Sequence, residues 1–212
     1  MEENFFDSIL WTTWTCIAAT LVYAVLFRRL KNWEVVIPII LALNALTDLG
    51  TNYASAKGMD IDNALYYVLV PLEWVLTLLV YANNSRFKST RFKNYVGVFV
   101  VIGIFIFALF YYPNVTEFPR GAYVWGGLVI ALLSYIQLRS MALDEAGQSK
   151  ILLVFTLANL IYFTLMISSQ SAIDLAYELE RDFGSNIYLI NDISYALWSV
   201  ILIFGILWTI KI

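Results

Sequence analysis

Three acids, Asp48, Glu73 and Asp192, sit inside long apolar stretches that contain no Lys, Arg or His. An acid at membrane depth costs about 2.5–3.5 kcal/mol on insertion scales unless it faces a cavity, binds a cation or takes up a proton. Other polar side chains fall at helical spacing around them. Asn44, Asp48 and Asn52 recur every four residues, so they share one helix face. Asn191 and Asp192 are adjacent, and Tyr195 and Ser199 continue the Asp192 stripe. Tyr66, Glu73 and Thr77 mark a third face. Carboxylates among amides and aromatic rings suit a proton, Na⁺, or an organic amine held by charge and cation–π contact. The expected site therefore comprises Asp48, Glu73 and Asp192 with Asn44 and Asn191, walled by Tyr66, Trp74, Tyr188 and Tyr195. The alternative is that each acid only hydrogen-bonds to a neighbouring helix and helps packing.

The elements that must position these residues are transmembrane helices. The chain has 212 residues, 61% of them hydrophobic, where soluble domains hold about 45–50%. Runs of about 18 or more apolar residues read as spans. Seven such runs occur, at 9–27, 35–53, 64–82, 95–112, 122–138, 151–171 and 187–210. The expected fold class is all-α, a polytopic membrane protein with seven transmembrane helices in one bundle. Connections are short, so residues 1–212 are expected to form a single domain with the lipid bilayer as its surroundings.

Charge sets the expected orientation. Arg28, Arg29, Lys31, Arg86, Lys88, Arg91, Lys93, Arg139, Lys150 and Lys211 lie on one side of that arrangement. Only Lys57, Arg120 and Arg181 lie on the other, with most of the loop acids. The positive-inside rule then puts the N-terminus outside and the C-terminus in the cytoplasm of a cell (inner) membrane. At 1.5 Å per residue, Asp48 and Asp192 lie roughly 7–8 Å below the outer boundary and Glu73 roughly 13–14 Å. All three can then reach one outward-facing cavity. Pro71, two residues before Glu73, lacks a backbone donor and can kink its helix.

Much chemistry is excluded. The chain has no histidine and one cysteine, Cys16. That removes His-ligated zinc or haem, Cys-based metal sites, internal disulfides and the His-dependent nucleophile pairs. No metal or cofactor is expected, nor any nucleic acid, and an enzyme is the least favoured class. Two readings remain: a receptor- or carrier-like protein for a small cationic or amphiphilic ligand, or an accessory subunit. The second would hold a partner protein through its helices and the basic loop from Arg86 to Lys93. Residues 173–185 are expected either to extend the sixth span as a short helix ending near Gly184 or to form a solvated loop.

An internal similarity also runs through the chain. Leu43-Asn44 and Ala158-Asn159 occupy matching spans, and Asn63 precedes Trp74 much as Asn186 precedes Trp198. A parallel three-plus-one-plus-three duplication would fit, as in some transporters.

The Asp of the second span, with the Asn191-Asp192 pair and Tyr195 of the seventh, resembles in kind the sodium site of G-protein-coupled receptors. The flanking receptor motifs are absent. Retinal binding is disfavoured, because the only Lys near the last span, Lys211, lies past its end. On Asn63-Ala-Leu-Tyr66, Leu72-Glu73-Trp74 and Leu160-Ile161-Tyr162-Phe163, the whole chain resembles a group of small bacterial seven-helix proteins of unassigned function. That resemblance implies a membrane bundle and brings no activity or ligand.

Overall fold

The computed structural model describes residues 11–30, 32–59, 65–83, 102–103, 120–142, 149–179 and 181–210. Among them the chain is all helix, with no strand. Six α-helices occur: α1 (Trp11–Val25), α2 (Val36–Ala56), α3 (Tyr66–Ala82), α4 (Arg120–Ala142), α5 (Lys150–Leu179) and α6 (Arg181–Ile210). Four apolar helical segments, Trp33–Ala56, Arg120–Ala142, Lys150–Ile173 and Asn186–Thr209, are long enough to cross a membrane. The helices α1 and α3 are shorter and equally apolar. By packing, the chain divides into two compact units, Met1–Ala122 and Tyr123–Ile212. The first holds α1–α3, and the second holds most of α4 with α5 and α6.

Local chemistry explains several helix ends. The last turn of α2 closes on Gly58, whose φ of 65° is open to glycine at no steric cost. Gly58 N donates to Ser55 O at 2.9 Å and Met59 N donates to Ala54 O at 2.9 Å. That pair of bonds is a Schellman stop, which satisfies carbonyls the helix would otherwise leave open. At the start of α5, the Ser149 hydroxyl accepts from Leu152 N at 3.3 Å, an N-cap. After α3, the Asn83 side chain donates back to Leu79 O at 2.9 Å. Pro71 lies inside α3, which stays helical from Tyr66 to Ala82.

The exterior is apolar where that of a water-soluble bundle would be polar, and several polar side chains lie in the apolar interior. Asn44, Glu73, Thr77, Gln137, Asn159 and Ser199 are buried, while Val25, Phe204, Val68, Leu46 and Leu21 are exposed. In water such an apolar exterior would be a large sticky patch. In a bilayer it is the expected face, and helices are the form that satisfies the backbone there. Close helix contacts rest on small residues, as in membrane bundles. A Cβ on Gly127 of α4 would collide with Met166 and crowd Phe163 on α5. A Cβ on Gly205 of α6 would lie 2.8 Å from Val154 Cβ on α5. In the first unit, the Cys16 thiol donates to Leu41 O at 3.4 Å and joins α1 to α2.

Some sequence expectations meet other outcomes. The run at 95–112 and the loop from Arg86 to Lys93 lie outside the described residues, apart from the helical pair 102–103. The sixth span does extend, as α5, to Leu179. Gly184 does not end a helix there: it lies inside α6, which begins at Arg181. One Gly within a long helix costs only about 1 kcal/mol against Ala, and the 30-residue α6 absorbs it.

Candidate functional site

The first unit builds a polar cluster between α2 and α3. Glu73 projects from the middle of α3 and is 2% exposed. Asn44, on the facing turn of α2, donates through Nδ2 to Glu73 Oε1 at 3.4 Å. The same Nδ2 donates to Ile40 O at 3.0 Å, which fixes the amide against its own helix. Glu73 Oε2 is buried with no hydrogen-bond partner among the described residues. One helical turn along α2, Asp48 Oδ1 accepts from the Tyr66 hydroxyl at 3.2 Å. The partner positions run forward on α2, from Asn44 to Asp48, and backward on α3, from Glu73 to Tyr66. That is the sense of two antiparallel neighbours.

Chemically, this cluster is one carboxylate half-satisfied at full burial and a second, half-buried one held by a phenol. An amide and a phenol donate hydrogen bonds but neutralise no charge. A buried polar oxygen without a partner costs about 1–3 kcal/mol, and more if ionised. An ionised Glu73 would leave its Oε2 unserved by any hydrogen-bond donor among the described residues. Among the described residues no three His, Cys, Asp or Glu side chains come together as a metal-binding group.

The second unit carries a different cluster. Trp198 Nε1 on α6 donates to Asn159 Oδ1 on α5 at 2.8 Å, and both residues are buried. The Tyr162 ring lies 5.8 Å from Trp198 and 5.9 Å from Tyr195. Tyr195 and Trp198 stack with centroids 6.0 Å apart and planes 14° apart. The hydroxyls of Tyr123 on α4 and Tyr162 on α5 share a hydrogen bond of 2.7 Å. Aromatic pairs in such arrangements contribute about 0.5–1.5 kcal/mol beyond area burial.

The structure thus brings together Asn44, Asp48, Glu73 and Tyr66 of the expected site, within the first unit. Trp74 is buried beside Glu73 on α3. Tyr188, Asn191, Asp192 and Tyr195 all lie on α6 of the second unit. Asn191 and Asp192 are half-buried and Tyr188 is exposed. The Asn191 Oδ1 atom is buried without a hydrogen-bond partner among the described residues.

Two features were not on the list of expected site residues. Trp198 and Tyr162 form the centre of the second cluster, yet Trp and Tyr are common in membrane helices and their identity gave no signal. Gln137 of α4 is fully buried with neither amide atom partnered among the described residues. Compared with known proteins, the chain matches no family model, no curated protein and no solved structure.

Proposed function

We propose that this is a seven-span membrane protein, N-terminus outside, that binds a small cation at the Glu73 cluster in the manner of a receptor or carrier. Na⁺, a proton and a small organic amine are the ligands this chemistry favours. One observation carries the reading: a buried glutamate with one oxygen on an amide and the other open, in a helix without a basic residue. Asn44 orients the carboxylate. Asp48, held by Tyr66, adds a second negative centre nearby. Trp74, and the second-unit residues Asp192, Asn191, Tyr188 and Tyr195, belong to the proposal as further candidates. The lipid bilayer surrounds the helices, and the positive-inside bias supports the orientation.

The test is saturable binding of labelled sodium and of labelled tetramethylammonium to the purified protein. Glu73→Gln and Asp48→Asn should each weaken binding at least tenfold, and Asp192→Asn shows whether the third acid contributes. Binding by neither probe, or binding unchanged in Glu73→Gln, rejects the reading. The accessory-subunit alternative gains nothing specific from the described residues, because the basic loop lies outside them.

A further inference from the structure

We infer that the chain is an internal repeat of one three-helix unit, each copy entering the membrane from outside, and that it carries a cation across the membrane on the acidic first copy. The cargo rests on the cation-site reading above; the repeat stands without it.

Each unit ties its second helix to its third through one buried asparagine. In the first unit Asn44 on α2 meets Glu73 on α3, and in the second Asn159 on α5 meets Trp198 on α6. Those two ties alone fix a register, α2 against α5 and α3 against α6. In that register most positions of the third helices agree, whereas Pro38 and Leu153, Ser55 and Gln170, and Ala82 and Leu207 differ in burial. Leu69 and Ser194 are both buried, as are Thr77 and Leu202, and Tyr81 and Ile206. Leu72 and Leu197 are both exposed, as are Leu79 and Phe204. On the second helices, Ile40 pairs with Phe155 and Leu41 with Thr156, all buried.

No tie fixes the first helices, but one register brings them into phase. With Cys16 set on Ile130, Ala19 falls on Leu133 and Tyr23 on Gln137, all buried. Trp14 then falls on Leu128 and Leu21 on Tyr135, all exposed. Helical periodicity brings any one pair of helices into phase. It does not supply three helices in the same order with the same residue type at the same tie. The register also corrects the sequence pairing of Trp74 with Trp198 by one residue: Trp198 stands where the first copy has Glu73.

The copies have diverged at the site. Asp48 is replaced by Phe163, Glu73 by Trp198 and Tyr66 by Asn191. Asp192 falls at the position of Tyr67, so it is no counterpart of either first-copy acid. The acidic site exists once per chain, and the second copy holds aromatic side chains in its place.

Charge gives each copy the same direction through the membrane. The connection from α1 to α2 holds Arg28, Arg29 and Lys31, and the ends of α4 and α5 hold Arg139 and Lys150. Both connections are thereby assigned to the cytoplasm. Repeats of this kind build secondary transporters, whose copies rearrange to expose a fixed site alternately. By that analogy the repeat favours the carrier over the receptor.

The test has two arms on the full-length protein. In a Cys16→Ser background, Arg28→Cys and Ala142→Cys mark equivalent positions of the two copies. A membrane-impermeant maleimide applied to intact cells should label neither, and both should label after permeabilisation. Labelling of the two from opposite sides overturns the repeat as described. The second arm is uptake of labelled sodium and tetramethylammonium into proteoliposomes. Saturable uptake of one probe, reduced at least tenfold in Glu73→Gln, is expected. Binding of a probe without uptake overturns the carrier and leaves the binding site standing; neither binding nor uptake overturns both.

Discussion

Asn44 reaches only one oxygen of Glu73: Nδ2 lies 3.4 Å from Oε1, and Oε2 has no partner among the described residues. The Asn44 amide spends its other contact on Ile40 O, so it has no second donor contact on the acid. A packing role alone would be better served by a Gln at 73, which can donate as well as accept. The buried glutamate is the residue on which the proposed cation site rests.

Removing the amide should expose that imbalance. Asn44→Leu leaves both Glu73 oxygens without this donor and should destabilise the protein by about 1–3 kcal/mol. The same change in a Glu73→Gln background should cost less, because no charge is left unserved. A double-mutant cycle on chemical unfolding in detergent measures the coupling, which should exceed about 0.5 kcal/mol. Additive effects would mean the two side chains do not interact.

The Asn159–Trp198 bond makes a parallel prediction in the second unit. Trp198→Phe removes the Nε1 donor and leaves Asn159 Oδ1 without that buried partner, at a cost of about 1–3 kcal/mol. It also trims a stacked ring beside Tyr195. In an Asn159→Leu background the same substitution should lose most of its polar penalty. Cation binding at the Glu73 cluster should survive Trp198→Phe, since Glu73 and Asp48 lie in the first unit.

Helix packing around Gly205 is tight enough to be tested by one methyl group. Gly205→Ala sets a Cβ against the branched Cβ of Val154, which cannot swing aside as a long side chain would. Overpacking of this kind costs about 1–3 kcal/mol. Val154→Ala removes the Cγ1 that lies nearest the added methyl but keeps the Cβ, so it should restore part of the loss, read as Tm in the same detergent. A Gly205→Ala protein as stable as the parent would contradict the close approach of α5 and α6.

Tyr66→Phe isolates the outer contact. It removes the hydroxyl that donates to Asp48 Oδ1 and nothing else of size. The expected cost is about 0.5–1.5 kcal/mol in stability, with cation affinity altered by up to tenfold, the equivalent of about 1.4 kcal/mol. Unchanged affinity with lowered stability would make Asp48 a packing group.

What the sequence disclosed follows from what is local. Apolar runs and periodicity marked the helices, and the four-residue spacing of Asn44 and Asp48 put them on one face of α2, where they meet Glu73 and Tyr66. Glu73 itself was legible because an acid in an apolar run is conspicuous. That Trp198 is the interhelical partner of Asn159 was not, since the bond joins residues on two helices that share no local pattern. The proposed repeat left only scattered Asn and Trp matches in the sequence, since the correspondence argued for it lies in burial register rather than residue identity. Gly184 looked like a helix stop, yet the flanking helix on both sides outweighs one glycine.

The most direct measurement is thermal stability in nanodiscs with and without sodium and tetramethylammonium, on the parent and on Glu73→Gln. A ligand that binds only the folded protein stabilises it by mass action, by about 2.7 kcal/mol at one hundred times its Kd. One cation is expected to raise the Tm of the parent and to leave that of Glu73→Gln unmoved. A parent that does not respond to either cation, or a Glu73→Gln protein that responds as the parent does, would contradict the cation site at Glu73.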